Sequence, residues 1–174
     1  MIEEDREVYS GRIVTLRIKY VAGRNGQRHM REIVEHKPGA AVVAVDDEGQ
    51  VLLVRQPRPA VSARVLELPA GLLDPGEEPI DAARRELREE TGFIARDVRP
   101  LVAFYTSPGF TDELVHIFVG RDLVEDRTQH DEEEDIELVR LPLEAAIERV
   151  TRGEISDAKT VTGLLAYERI AISG

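Results

Sequence analysis

The sequence predicts an α/β fold, because it contains both the apolar runs of buried strands and the periodic spacing of helices. Ala40–Val45 and Val51–Val54 are continuous apolar runs joined by turn residues, which is typical of a buried hairpin. Pro79–Thr91 begins with a proline that suits the first position of a helix, and a glycine that suits a helix end follows it. Two further segments, 142–152 and 158–172, have apolar residues at helical spacing. The chain of 174 residues has the length of one ordinary domain.

The first 37 residues are predicted to form a β element that is partly separate from a main domain at 38–174. Ile13–Tyr20 alternates in part between apolar and polar residues, residues 23–26 are a turn signal, and residues 31–36 resume an extended pattern. These features predict a strand or hairpin that leads into the main domain. The residues alone leave open whether it is a separate element or an edge hairpin of the same domain.

Four more short strands are predicted further along the chain. Val65–Leu68 leads into the turn before the predicted helix. Leu101–Tyr105 and Leu114–Val119 are joined by a loop at 106–113 that contains a Pro-Gly dipeptide, a strong turn signal. Ile136–Arg140 follows an acidic stretch and is the last predicted strand.

The composition argues against several classes of partner. The formal net charge of −11 argues against nucleic acid and against anionic membranes. The chain has no cysteine, which excludes disulfides and thiolate metal sites. It has no signal peptide and no apolar run of about 18 residues, so we expect a soluble cytoplasmic protein.

The predicted helix at 79–91 concentrates acidic side chains on one sector. Glu86, Glu89 and Glu90 are spaced i, i+3 and i+4, so each pair repels by a few tenths of a kcal/mol. The sequence shows nothing on that sector to compensate them, and a hard divalent cation would remove the repulsion. Mg²⁺ takes oxygen ligands from carboxylates, water and substrate phosphates. The alternative interpretation is a solvated acidic helix face.

The stretch around this helix carries a longer pattern. Gly71 is followed by five residues and Glu77, seven residues and Arg85-Glu86-Leu87, one residue and Glu89-Glu90, and one residue and Gly92-Phe93. The pattern strongly resembles the complete signature of the Nudix hydrolases. The resemblance implies an α/β Nudix fold with a mixed β-sheet sandwiched between helices. It also implies hydrolysis of the pyrophosphate bond of a nucleoside-diphosphate-linked substrate, with Mg²⁺ or Mn²⁺ and two or more ions per site.

The resemblance assigns roles to residues of the signature by position. Glu86 and Glu90 become the main metal ligands and Glu89 a further one. The backbone carbonyl of Ala70, just before the first glycine, often joins the metal shell in this family. Arg85 belongs to the catalytic set and is expected to pair with Glu77, which would hold the loop against the helix.

The loop at 106–113 points to a branch of the family. Ser-Pro-Gly-Phe-Thr-Asp-Glu, beginning at Ser107, is close to the marker of ADP-ribose pyrophosphatases. The resemblance implies that Gly109 and Glu113 contact the ribose portions and that ADP-ribose is cleaved to AMP and ribose 5-phosphate. The alternative for the Pro-Gly dipeptide is a plain turn.

Five basic and acidic residues are further candidates for substrate binding. Arg58 lies where the family has a substrate-contacting arginine, and Arg55 precedes it on the same predicted strand end. Both suit forked contacts with phosphate oxygens, Arg58 ahead of Arg55, and the alternative for each is an ordinary surface side chain. Arg28, Arg31 and Glu32 lie in the N-terminal element, where relatives donate adenine contacts across a homodimer. The resemblance therefore implies a dimerising role for this element.

The general base is expected in the acidic loop before the last strand, as in relatives of this branch. Spacing back from Ile136 favours Glu132, with Glu134 as a second choice of base or as an extra metal ligand. Glu133, or no residue of this loop, remains an alternative, because an acidic run also suits a solvated loop.

Two rival functions remain open from the sequence. One is a Nudix pyrophosphohydrolase that acts on another nucleoside diphosphate sugar or on a modified nucleotide. The other is a non-catalytic Nudix domain that senses nucleotides. The chain has kept every carboxylate of the signature, which favours an enzyme.

Overall fold

The computed structural model describes residues 2–126 and 135–173, which fall into two compact units. The first unit is Met1–Pro38 together with Phe104–Leu114, and the second is Gly39–Ala103 together with Val115–Gly174. The first unit thus includes a segment from the range that the sequence analysis gave to the main domain. The division into a dimerising element and a catalytic domain stays a prediction.

The first unit contains an antiparallel sheet of three strands. Its strands, in spatial and chain order, are β1 (Ile2–Ser10), β2 (Val14–Ala22) and β3 (Arg28–His36). The sequence analysis did not predict β1, because its run of charged residues lacks the alternation that indicates a strand. Pairing with β2 supplies the backbone hydrogen bonds that make this charged segment extended.

The register of this sheet separates apolar from charged side chains. Tyr9 lies opposite Leu16, and Tyr20 lies opposite Met30, which places these apolar residues on one face. On the other face, Arg17 Nε donates to Glu35 at 2.7 Å. Lys19 donates to the second oxygen of Glu35, and Arg17 also reaches Asp5 and Glu7 of β1. The sheet therefore has one apolar face and one face covered by an ion-pair network.

Within residues 2–126 and 135–173, the second sheet has seven strands and is mixed. Its main path runs β10-β5-β4-β9-β8, with β6 paired to β5 and β7 paired to β4. β4 is parallel to β9 and antiparallel to β5 and β7. The strands are β4 (Gly39–Val45), β5 (Gln50–Arg58), β6 (Ala63–Glu67), β7 (Ala70–Leu72), β8 (Phe93–Tyr105), β9 (Leu114–Glu125) and β10 (Glu137–Pro142).

Helices pack on both faces of β4. The helices are α1 (Pro79–Thr91), α2 (Leu143–Thr151) and α3 (Ala158–Ser173). Val42 belongs to a buried cluster with Leu87 of α1. Val43 points to the opposite face, where it lies within 3.1 Å of the position that a Cβ on Gly163 of α3 would take. The predicted α/β fold, with a mixed sheet between helices, is confirmed.

The helix bounds were predicted better than the strand bounds. The predicted helix at 79–91 has the bounds of α1, and Gly92 ends it in the left-handed conformation with φ of 72°. The strand β8 begins at Phe93 rather than at the predicted Leu101, because polar residues in its first half hide the apolar pattern. No helix in residues 2–126 and 135–173 is long and apolar enough to cross a membrane.

Candidate active site

The helix α1 is held against the sheet by its apolar side, which fixes the direction of its acidic sector. Ala83 and Leu87 are fully buried against β4. Glu90, the residue before the last residue of α1, is only 7% exposed. The acidic sector therefore lies at the edge of the core rather than in open solvent.

Two of the predicted metal ligands lie against the backbone of β7. Glu90 Oε2 accepts the N–H of Ala70 at 2.9 Å. At Gly71, a Cβ atom would lie 1.9 Å from Oε1 of Glu86, so a side chain there would displace the carboxylate. This close approach explains the first glycine of the signature, because the Glu86 carboxylate occupies the space that a side chain at Gly71 would need.

Arg85 connects the acidic sector to the loop before the helix. Its Nη1 donates to Glu86 Oε1 at 2.6 Å and to Glu89 Oε2 at 3.1 Å. Its Nε and Nη2 donate to the two oxygens of Glu77 at 2.9 and 3.0 Å, and Nη2 also donates to the carbonyl of Leu72. The expected Glu77 pair is present. The expectation that nothing compensates the acidic sector was wrong, because spacing does not show that the Arg85 side chain turns back towards it.

The same contacts shift the ionisation of the pair. The hydrogen bond from Arg85 is the main reason that the pKa of Glu77 falls to about 2, and the backbone N–H of Asp74 adds to this effect. The hydrogen bond with Glu77 is also the main reason that the pKa of Arg85 is raised. Both groups are therefore charged at neutral pH.

The chemistry of the donor set fits a hard divalent cation. Glu86, Glu89, Glu90 and the carbonyl of Ala70 all offer oxygen, which Mg²⁺ and Mn²⁺ prefer. Glu90 is hydrogen-bonded to Ala70 and Glu86 lies against Gly71, so the two carboxylates lie at neighbouring residues of β7. Within the described residues, no three His, Cys, Asp or Glu side chains are yet grouped as a metal site. Arg85 binds the carboxylates of Glu86 and Glu89.

Arg58 lies on β5 and is bound by a carboxylate that the sequence analysis did not single out. Its Nε and Nη2 donate to the two oxygens of Glu67 at 2.7 and 2.8 Å. Lys159, at the start of α3, also donates to Glu67. The hydrogen bond to Glu67 is the main cause that raises the pKa of Arg58, and the charge of Glu90 adds to it.

Neither Glu67 nor Lys159 carries a motif, which explains why sequence reasoning missed them. The sequence contains one indication of Glu67, which is that an acidic residue interrupts the apolar strand segment Val65–Leu68. Its partner is 92 positions away in the chain, a separation that no local pattern covers.

Arg55 and Arg58 bind different carboxylates. Arg55 lies three residues earlier on β5 and contacts Glu137 of β10 at 3.4 Å. It lines a cavity of about 400 Å³ together with Arg64 and Arg149. Its predicted contact with substrate phosphate stays a prediction without a supporting contact.

The loop at 106–113 belongs to the first unit. The carbonyl of Ser107 accepts the N–H groups of Phe110 and Thr111, which closes a tight turn, and Phe110 O accepts the N–H of Val34 on β3. Gly109 is exposed in this turn, with nothing within 4 Å of the position of an added Cβ. Glu113 Oε2 accepts a hydrogen bond from Thr106 at 2.7 Å. Gly109 and Glu113 are therefore placed by one hydrogen-bonded loop.

The three N-terminal candidates lie on β3 of the first unit. The guanidinium of Arg28 lies 4.7 Å from the ring centroid of Tyr20, so this arginine already stacks on an aromatic ring of its own chain. Arg31 donates to the carbonyl of Met30 at 2.8 Å, and Glu32 is exposed. As consecutive strand residues, Arg31 and Glu32 point to opposite faces. Their roles in adenine binding stay predictions.

The predicted bases, Glu132 and the second choice Glu134, lie outside the described residues. The first described residue after them in the chain is Asp135, whose carboxylate accepts a hydrogen bond from Arg64 at 2.5 Å. The general base therefore stays a prediction from the sequence.

The fold and this arrangement of signature residues define a Nudix domain, and comparison with known proteins agrees. The family model of the NUDIX domain matches residues 35–163. The chain therefore belongs to the NUDIX domain family. The matched range begins near the end of β3, so most of the N-terminal sheet lies outside the family model.

Individual relatives are also similar over most of their length. The chain is 43% identical to the ADP-ribose pyrophosphatase of Bacillus subtilis (strain 168), with 88% of this chain and 84% of the relative covered. It is 40% identical to the GDP-mannose pyrophosphatase of Citrobacter koseri, with 80% and 78% covered. A crystal structure of an ADP compounds hydrolase superposes with a TM-score of 0.89 at 26% identity, covering 99% of this chain and 94% of that one.

The pair between Glu77 and Arg85 predicts a pH-dependent contribution to stability. Because the pKa of Glu77 falls from its ordinary value near 4.5 to about 2, its contribution is complete above about pH 4.5 and disappears as the pH falls towards 2. In the presence of a chelator, we expect Glu77→Gln to lower the free energy of unfolding at pH 7. The expected loss is about 1–2 kcal/mol after allowance for solvent screening.

Urea unfolding between pH 7 and pH 3 measures this difference. The gap between the wild type and Glu77→Gln should narrow as the pH falls below about 4.5. Glu78→Gln is the control, since this neighbour is exposed, and it should change the free energy of unfolding by less than about 0.5 kcal/mol at pH 7. A gap that stays constant down to pH 3 would contradict the assigned ion pair.

Proposed function

We propose that this chain is an ADP-ribose pyrophosphatase, which hydrolyses ADP-ribose to AMP and ribose 5-phosphate. The observation that carries the proposal is the complete Nudix signature, folded so that Glu86 and Glu90 lie against Ala70 and Gly71. The loop that begins at Ser107 and the similarity to the Bacillus subtilis enzyme support ADP-ribose as the substrate.

Two alternatives use the same site. The similarity to a GDP-mannose pyrophosphatase supports another nucleoside diphosphate sugar or a modified nucleotide as substrate. A non-catalytic nucleotide sensor is the third candidate, although such a domain has no need for every signature carboxylate.

The signature residues would hold the metal ions of the family. Glu86, Glu89, Glu90 and the Ala70 carbonyl are the proposed ligands for two or more Mg²⁺ ions, with Mn²⁺ as a substitute. Bound ions would activate water and neutralise phosphate oxygens. Arg85 holds the carboxylates of Glu86 and Glu89 through its hydrogen bonds, and Glu77 fixes the orientation of the Arg85 guanidinium.

The other proposed residues bind the substrate and move a proton. Arg58 donates to diphosphate oxygens, Gly109 and Glu113 contact the ribose portions, and Arg55 is a weaker phosphate candidate. The oxygen of a water molecule attacks one phosphorus, the bond from that phosphorus to the bridging oxygen breaks, and the bridging oxygen leaves with the other phosphate. Glu132, or Glu134 in its place, takes the proton of the attacking water.

A substrate panel tests the proposed activity. The purified protein is incubated with Mg²⁺ and ADP-ribose, GDP-mannose, ADP-glucose, NADH, diadenosine polyphosphates or nucleoside triphosphates, and the products are separated by chromatography. We expect AMP to form from ADP-ribose with a kcat/KM at least about tenfold above that of any competitor, which is a difference of about 1.4 kcal/mol in transition-state binding. A better value for GDP-mannose would move the function to the second candidate. Absence of turnover with both Mg²⁺ and Mn²⁺ would favour the sensor.

The proposed base predicts a specific kinetic change. Glu132→Gln should lower kcat by about 10²–10⁴ with little change in KM, because the residue acts on the proton transfer and not on substrate binding. Glu90→Gln should remove metal-dependent turnover more completely. A near-normal kcat for Glu132→Gln, combined with a loss for Glu134→Gln, would transfer the role to Glu134.

We also propose that the chain forms a homodimer through the N-terminal sheet, with Arg28, Arg31 and Glu32 close to the adenine site of the partner. The support is the apolar face of that sheet, on which Tyr9 is 59% and Met30 is 51% exposed. A cytoplasmic location completes this proposal and rests on the sequence alone.

Light scattering coupled to gel filtration tests the dimer. The wild type should elute with about twice the chain mass of 19.5 kDa, and the double variant Tyr9→Glu/Met30→Glu should elute as a monomer, because charge on this face opposes association. Val61→Glu is the control: this exposed apolar residue lies in the second unit, so its variant should stay dimeric. A wild type of single-chain mass at micromolar concentration would refute the dimer.

A further inference from the structure

Glu67 is a buried acid that lies outside the signature and takes no part in the mechanism described above. It is 1% exposed, and both of its carboxylate oxygens are bound by Arg58 in a forked pair. The side chain of Arg58 is 43% exposed, whereas that of Glu67 is 2% exposed. The pair therefore presents a guanidinium to solvent and keeps its carboxylate in the interior.

A second set of contacts holds Glu67 from the side of α3. Lys159 donates to Glu67 and, at 3.1 Å, to Asp157. Asp157 accepts hydrogen bonds from the N–H and the hydroxyl of Thr160 at 3.0 and 2.6 Å. Thr160 in turn accepts the N–H of Leu68, the residue after Glu67, at 2.8 Å. The network is closed, so Glu67 has little freedom to move.

Stability alone is a weak reason for this arrangement. Burying a carboxylate costs several kcal/mol, and a buried ion pair often contributes no more to stability than apolar residues of similar size. Burial raises the pKa of Glu67, but the hydrogen bond from Arg58 and the charge of Lys159 outweigh it, and the pKa is lowered overall. The carboxylate is thus kept charged in the interior, where its forked geometry fixes the plane of the guanidinium.

We infer that Glu67, locked by Lys159, is a positioning residue that aims the guanidinium of Arg58 at the diphosphate of the substrate. The inference rests on the proposed function, in which Arg58 binds phosphate. The forked pair uses Nε and Nη2 of Arg58, and among the described residues nothing hydrogen-bonds to Nη1. A preorganised donor loses less freedom on binding, so the pair improves affinity without touching the substrate.

A double-mutant cycle on ADP-ribose hydrolysis tests the inference. Glu67→Gln keeps the shape but removes one acceptor and the charge, so KM should rise about tenfold while kcat changes less than about threefold. Arg58→Ala should raise KM at least as much. In the Arg58→Ala background, Glu67→Gln should add little, because its effect passes through Arg58. Asp97→Asn, which alters an exposed ion pair with Arg99, is the control and should leave KM unchanged.

If Glu67→Gln raises KM by the same factor in the wild type and in the Arg58→Ala variant, the inference is overturned and Glu67 has a structural role. Glu67→Asp and Lys159→Met keep the test valid if Glu67→Gln fails to fold. Glu67→Asp keeps the charge but withdraws the carboxylate, so KM should still rise if position is what matters. A KM equal to that of the wild type in a folded Glu67→Asp variant would count against positioning.

A measurement that needs no substrate separates this inference from the proposed function. In ¹⁵N-resolved NMR, the Nε–H signal of Arg58, assigned by its loss in Arg58→Lys, should exchange slowly with water in the wild type and quickly in Glu67→Gln. An unchanged exchange rate would reject the positioning role even in an enzyme that cleaves ADP-ribose. If the wild type cleaves no ADP-ribose but its Arg58 Nε–H still exchanges slowly and that of Glu67→Gln exchanges quickly, the proposed substrate is wrong. The conclusion that Glu67 fixes the Arg58 guanidinium would then still hold.

Discussion

The contact between the helix α1 and the strand β7 is the constraint on which the rest of the site depends. Gly71 has no side chain, so the Glu86 carboxylate lies directly on the backbone of β7. Glu90 accepts the N–H of the preceding residue, Ala70, in the same place. Two carboxylates from one helix face thus converge on two consecutive residues of β7, because the helix approaches the strand so closely. The apolar packing of Leu87 on the sheet sets the distance between α1 and β7. The position of the carboxylates therefore depends on the packing of the core.

Such a concentration of acid is tolerated because Arg85 is its counter-charge. One guanidinium binds Glu77, Glu86 and Glu89, and it also ties the loop before the helix to the helix itself. A flexible lysine has no planar fork and cannot hold three carboxylates in fixed directions. Arg85 therefore holds the loop before the helix and also orients two of the carboxylates that would bind metal. These two roles give a physical reason for an arginine next to Glu86 in the signature.

Much of this architecture was readable from the sequence, for identifiable reasons. The helix α1 was predicted with correct bounds, because proline and glycine mark its ends and its apolar stripe has one period. The strand β1 and the first half of β8 were missed, since their charged residues are extended through pairing with other strands rather than through local preference. The grouping of Glu86 and Glu90 was predictable from helical geometry, whereas the side-chain direction of Arg85 was not. Contacts such as Lys159 with Glu67 depend on how distant segments meet, and no local pattern encodes them.

The network around Arg58 bears on how a strongly acidic chain binds an anionic substrate. A free arginine attracts a diphosphate mainly through net charge, and salt weakens that attraction. Arg58 is already neutralised by Glu67, and Lys159 restores only part of the positive charge, since Asp157 faces it. Little long-range field therefore remains to draw in the substrate. The pair of Arg58 and Glu67 instead fixes the orientation of the guanidinium, which is partly exposed to solvent. In a chain with a net charge of −11, binding would then rest on short-range hydrogen bonds and on metal ions, with long-range attraction a minor factor.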